Sequence, residues 1–105
     1  MTLPELLELQ KQPQSAHKTL QLPVTFMLDA PIVRRVLLMG DFTDWEAGAR
    51  PLTRDDNGVW RIEIALRPGR YRYAYLVDGA WVADPTCGEF ETDASGNYVG
   101  VFHVR

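Results

Sequence analysis

The stretch from Trp60 to Ala83 constrains the fold more than any other part of the chain. Trp60-Arg61-Ile62-Glu63-Ile64-Ala65-Leu66 puts Trp60, Ile62, Ile64 and Leu66 on one side and Arg61 and Glu63 on the other, the period of a strand with one buried face. Pro68-Gly69 interrupts the pattern, and Tyr71-Arg72-Tyr73-Ala74-Tyr75-Leu76-Val77 resumes it, with three tyrosines sharing the parity of Val77 and with Arg72 and Ala74 opposite. The tyrosine face is read as structural and inward. Asp78-Gly79 follows Val77. A two-residue turn of the primed type needs positive φ, which Gly adopts freely and Asp tolerates, so Trp81-Val82-Ala83 is expected to pair back on the tyrosine strand.

The flanking segments extend this pattern. Val24–Leu28 and Arg35–Met39 are short apolar runs, ended by Asp29-Ala30-Pro31 and Gly40-Asp41; Asn57-Gly58 marks a turn before Trp60; Val99–Val104 closes the chain. Six or seven short strands so punctuated predict an all-β sandwich, and 105 residues suit one core. At the N-terminus, Leu3, Leu6 and Leu7 fall on one side at helical spacing, with Thr2 as N-cap and Pro4 in the first turn, which predicts a short amphipathic helix. Lys11 to Gln21 is polar and suits an arm. The expected organisation is a helix and linker arm over 1–21 and a sandwich over 22–105.

Composition narrows the partners. A net charge of −3 offers no basic stripe for a phosphate backbone, so nucleic acid is not expected. Cys87 is the single cysteine, which excludes an intrachain disulfide and suits a reducing compartment. No run approaches the ~18 apolar residues of a membrane span and no signal pattern opens the chain; a soluble, cytoplasmic protein is expected. His17 and His103 stand far from Cys87 without zinc spacing, and no glycine-rich phosphate loop is present, so neither metal nor cofactor is expected. No basic or histidine neighbour activates Cys87, which reads as an inert loop cysteine. Asp41, Asp44, Glu46, Asp55, Asp56, Asp78 and Asp84 sit mainly in turns, where Asp caps backbone amides. A glycosidase needs two carboxyls facing a cleft at about 5–9.5 Å, for which so small a domain has little room; an enzyme is not expected.

Several motifs in register point further. Gly40-Asp41-Phe42-Thr43-Asp44-Trp45, Pro51-Leu52-Thr53-Arg54, Gly58-Val59-Trp60, Pro68-Gly69-Arg70-Tyr71-Arg72-Tyr73 and Val77-Asp78-Gly79-Ala80-Trp81-Val82-Ala83-Asp84-Pro85 resemble carbohydrate-binding module family 48, over about Leu22 to Arg105. That family includes the N-terminal modules of isoamylases and glycogen branching enzymes and the glycogen-binding domain of the AMP-activated protein kinase beta subunit. The resemblance implies an immunoglobulin-like, early-set β-sandwich, and a sugar platform at Trp45 and Trp81, the positions matching the two platform tryptophans of the kinase-type members. An indole held flat at a surface can stack on the C–H face of a glucose ring while polar neighbours bond its hydroxyls. Trp60, which opens the inward alternation, is read as core.

The pattern also departs from the family. The lysine that kinase-type members carry before the hairpin falls at Ala74, and the asparagine of their last strand at about Val99. Arg72, on the strand face of Ala74, and Asn97, at the start of the last strand, are the expected substitutes. The resemblance thus implies non-catalytic binding of α-1,4-linked glucan such as glycogen, starch or maltooligosaccharide, by Trp45, Trp81, Arg72 and Asn97. The alternative is a protein-interaction or regulatory module on the same sandwich that has lost sugar binding, with the N-terminal helix as a docking or self-association element.

Overall fold

A computed structural model describes residues 20–105; the expected N-terminal helix and most of the arm lie outside the described residues. The strands are β1 (Leu22–Asp29), β2 (Val36–Gly40), β3 (Arg50–Pro51), β4 (Thr53–Arg54), β5 (Val59–Leu66), β6 (Gly69–Val77), β7 (Ala80–Val82), β8 (Phe90–Thr92) and β9 (Tyr98–Val104), with a 3₁₀ turn at Trp45–Gly48 between β2 and β3. They form a sandwich of two antiparallel sheets, one ordered β1-β5-β4 and the other β3-β2-β6-β9-β8 with β7 also on β6. Among the described residues nine strands replace the expected six or seven because β3, β4 and β8 hold only two or three residues each, too few to show a period.

The inward faces follow the sequence alternation. β1 and β5 pair along their full length, from Leu22 opposite Leu66 to Asp29 opposite Val59, and supply Phe26, Leu28, Trp60 and Leu66 to the core; the larger sheet supplies Val36, Leu38, Tyr73, Tyr75 and Val104. Tyr73 and Tyr75 are buried as the tyrosine parity required, and Tyr71, partly buried, packs at the rim of the core against Phe42 and Phe102. Trp60 is core, 8% exposed, and its Nε1–H donates to the Ala30 carbonyl at 2.9 Å, which satisfies the buried indole. Leu52 marks the corner where the chain leaves one sheet for the other. Pro51 pairs with β2 and Thr53 with β5, while Leu52 itself is buried between them. Pro51 is tolerated because β3 is an edge strand.

The turns use side-chain oxygens as substitutes for backbone acceptors. Asp78 and Gly79 adopt φ of 48° and 85°, the primed turn expected between β6 and β7, and Asp78 Oδ1 also accepts the backbone N–H groups of Arg34 and Arg35 at 2.9 Å. Two further turns repeat one device. Asp55 Oδ1 accepts the N–H of Asn57 and Val59; Asp93 Oδ1 accepts the N–H of Ser95 and Asn97. These bonds favour the ionised carboxylates and hold both below the ordinary carboxylate range, led by the Val59 amide for Asp55 and the Asn97 amide for Asp93. Between β7 and β8 the chain is braced by buried Asp84. Its Oδ2 accepts the Tyr73 hydroxyl at 2.6 Å, and its Oδ1 accepts the Thr86 hydroxyl at 2.7 Å and amide at 2.9 Å. Burial first, and the Asp84 bond second, push the Tyr73 hydroxyl upward, so it stays a neutral donor.

Candidate functional site

β6 has two faces, and the one turned away from the core carries the candidate site. Its outward residues are Arg70, Arg72, Ala74 and Leu76, alternating with the inward tyrosines. Ala74 lies opposite Met39 of β2, Leu76 opposite Trp81 of β7, and Arg72 opposite Val101 of β9. β7 and β9 share one edge of β6 end to end, since β9 pairs with residues 69–73 and β7 with residues 75–77. One step further in the β9 register, Val99 stands beside Ala74.

Trp81 bridges that junction. From its place opposite Leu76 its Nε1–H donates to the Tyr98 carbonyl at 2.9 Å, so the indole spans the gap between β7 and the start of β9, next to the Ala74–Val99 position. Met39, Ala74 and Val99 are each 0% exposed although they face away from the core, the mark of a covered apolar floor. Ala74, and about Val99, are the positions where the kinase-type members are expected to carry lysine and asparagine, and here both are apolar and buried.

Trp45 comes from the loop after β2. Its ring and that of Trp81 are 5.7 Å apart between centroids and inclined by 16°, an offset stack. The loop holds Trp45 in an unusual backbone conformation. Asp44 and Trp45 have φ of 63° and 52°, the left-handed region that residues with a Cβ avoid, at a cost of about 1–3 kcal/mol each. Thr43 stabilises the loop, accepting the Gly40 N–H at 3.0 Å and directing its hydroxyl toward the Gly40 and Trp45 carbonyls, 3.2 Å away. Gly48 packs so closely that a Cβ there would overlap the Thr43 carbonyl oxygen. Strain retained in this way positions a side chain, and that side chain is Trp45.

Arg72 completes the group. Its guanidinium carbon lies 5.9 Å from the Trp45 ring centroid, within cation–π range. Asp41 fixes it at both ends: Oδ2 accepts the Arg72 backbone N–H at 2.9 Å, Oδ1 accepts Nη2–H at 3.2 Å, and the Asp41 N–H donates to the Arg72 carbonyl at 3.1 Å. The Asp41 bond raises the guanidinium further above its ordinary value, so Arg72 is a fixed cation with most of its five donors still free. Trp45, Trp81 and Arg72 are partly exposed, in contrast to Trp60. Asn97 is placed differently. It closes the β8–β9 hairpin, donating its backbone N–H and one Nδ2–H to Asp93, and what it retains for a ligand is its side-chain oxygen and the second Nδ2–H. Sequence reading did not find Asp41 as the clamp on Arg72, or the buried floor, although the floor had a signal: apolar residues at both parities of Leu37-Leu38-Met39 and Val99-Gly100-Val101-Phe102, as expected of strands covered on both faces.

The model for the glycogen recognition site of AMP-activated protein kinase matches residues 22–105. The chain belongs to that family. It is 33% identical over 92 residues to protein PTST homolog 2, chloroplastic, of Arabidopsis thaliana, covering 82% of the chain and 17% of that protein. It is 36% identical over 76 residues to the 1,4-alpha-glucan branching enzyme GlgB of Salinibacter ruber (69% of the chain, 12% of the enzyme). It is also 36% identical over 76 residues to SNF1 protein kinase subunit beta-2 of Saccharomyces cerevisiae (68% and 17%). The module thus spans only a small part of these relatives' length. Among solved structures, the maltogenic amylase from S. marinus superposes with a TM-score of 0.68 at 21% identity, covering 81% of this chain and 14% of that one, a likeness of fold.

Proposed function

We propose that the module binds α-1,4-linked glucan, such as glycogen, starch or maltooligosaccharide, on the outer face of its larger sheet, and that it binds without cleaving. The observation that carries this reading is the partly exposed Trp45–Trp81 stack, set on an apolar floor beside a clamped arginine, in a chain of the glycogen-recognition family. Indole rings offer the apolar stacking surface, and Arg72 offers hydrogen-bond donors at its rim. Asn97 contributes through its free side-chain oxygen. Because the site is an open face, binding is modest per glucose unit and grows with the number of rings engaged. Absence of catalysis is supported by the use of the carboxylates: Asp41, Asp55, Asp78 and Asp93 each accept backbone amides and serve turns or clamps.

Native-gel retardation in glycogen tests the proposal. Wild type is expected to be retarded, and Trp45→Ala and Trp81→Ala, each shown to remain folded, are expected to run freely. A second reading, a protein-docking face with sugar binding lost, draws on the replacement of the expected polar pair by buried Ala74 and Val99. Migration of wild type unchanged at high glycogen would favour it.

A further inference from the structure

We infer that the glucan-binding surface does not end at Arg72 but continues along β6 and β9 over Arg70, His103 and Glu91, as a subsite for further glucose units of the same chain. The inference rests on the glucan reading above and extends it to residues that the aromatic platform does not include.

Register places this strip. Arg70 is two residues before Arg72 on β6, on the same outward face, and lies opposite His103 of β9; at about 3.3 Å per residue the step is roughly 7 Å. From Leu76, beside Trp81, to Arg70 the same face runs roughly 20 Å, a length that takes several sugar rings in line. The side chains also lie down along the sheet. Arg70 of β6 reaches over β9 to pair with Glu91 of β8, and stands 3.7 Å from Glu89, while His103 Nε2 lies 3.5 Å from Glu89 Oε1. Val101, outward on β9 between these groups, is only 4% exposed; the reach from Arg70 to Glu91 passes over it. The floor of Ala74 and Val99 next to the indoles is thus continued by Val101 under planar polar groups.

The chemistry changes along the strip in the way a glucan requires. A glucose ring presents apolar C–H faces and a rim of hydroxyls, each both donor and acceptor. The indole pair serves the first, and the guanidinium, imidazole and carboxylates serve the second. Arg70 and Glu91 are 44% and 38% exposed at their side chains, within reach of a ligand. Their pairing leaves unused N–H donors on the guanidinium and unused lone pairs on the carboxylate. Opposite charges that neutralise each other also suit an uncharged polymer, which brings no counter-charge of its own.

Calorimetric titration of maltotriose and maltoheptaose into wild type and the Arg70→Ala/His103→Ala variant tests this extension. These are exposed residues whose ion pairs contribute little to stability, so the variant is expected to stay folded. Wild type is expected to bind the longer sugar on the order of tenfold more tightly, and the variant to bind maltotriose as wild type does while losing most of that length preference. A variant with the full preference intact, or a wild type indifferent to length, overturns the extension and leaves the aromatic platform standing. A wild type that binds neither sugar, or Trp45→Ala and Trp81→Ala variants that bind both as well as wild type does, overturns the glucan platform itself and the extension with it.

Discussion

Restoring the family's lysine by Ala74→Lys is expected to harm this module. Ala74 is 0% exposed, opposite Met39 and beside Val99, both also 0% exposed, with the Trp81 indole anchored next to it by the Tyr98 carbonyl. A lysine there adds three methylenes and an ammonium to a position with no exposed surface, and its way out to solvent must displace what covers it. Overpacking of this kind costs about 1–3 kcal/mol. Taking about 2 kcal/mol, and about 4–8 °C per kcal/mol for a domain of this size, Tm should fall by about 8–16 °C. Glycogen retardation should fall with it, because the ring most displaced belongs to the proposed platform. Adding Val99→Asn gives the ammonium a polar partner and loosens the floor, so the double variant is expected to be more stable than the sum of its singles, by a coupling of about 0.5–3 kcal/mol. Differential scanning calorimetry on the four proteins reads the cycle. An Ala74→Lys protein with unchanged Tm and tighter glycogen binding would refute the reasoning.

Three further outcomes follow from named contacts. Gly48→Ala forces the Thr43 carbonyl away and should release Trp45 from its left-handed conformation; glycogen retardation is expected to fall while the far-ultraviolet spectrum of the sandwich is kept. Tyr73→Phe keeps the ring packing but leaves Asp84 Oδ2 without its donor, a loss of about 1–3 kcal/mol that urea denaturation should show as a lower midpoint at unchanged slope. Asp55 and Asp93 have pKa values lowered by the amides they accept. Their contribution to stability is therefore fully present above the ordinary carboxylate value near 4 and is lost as pH falls through their depressed folded values. Asp55→Asn/Asp93→Asn should flatten the acid limb of the stability profile, measured by thermal denaturation from pH 6 to pH 2.

The parts of this fold that repeat were legible in the sequence, and those that depend on a single contact were not. The β5 and β6 alternation placed Trp60, Leu66, Tyr73 and Tyr75 in the core because a period of two has one physical meaning over seven residues. Asp78-Gly79 marked its turn through backbone sterics alone. β3, β4 and β8 were missed since each is defined by its neighbour in the sheet, not by its own pattern. At the site, the family register brought Trp45 and Trp81 forward, and the structure stacks them with Arg72 nearby. Asp41 reads in the sequence as one more turn aspartate; its bonds to Arg72 cross 31 positions and carry no local signal. Asn97 stands near the start of the last strand in the sequence, and one N–H of its amide is engaged by the Asp93 turn, a bond that position alone does not signal. The helix expected near Leu3–Gln10 lies outside the described residues.

The central claim, that glucan lies on the Trp45–Trp81 face, is tested most directly by following the three indole N–H resonances during titration with maltoheptaose. Trp60 is the internal control, buried at 8% exposure and bonded to Ala30 on the other side of the sheet. The account predicts saturable shifts for Trp45 and Trp81 with one common affinity, and a Trp60 resonance that stays in place. Saturable binding that leaves Trp45 and Trp81 unmoved would put the sugar elsewhere and contradict it.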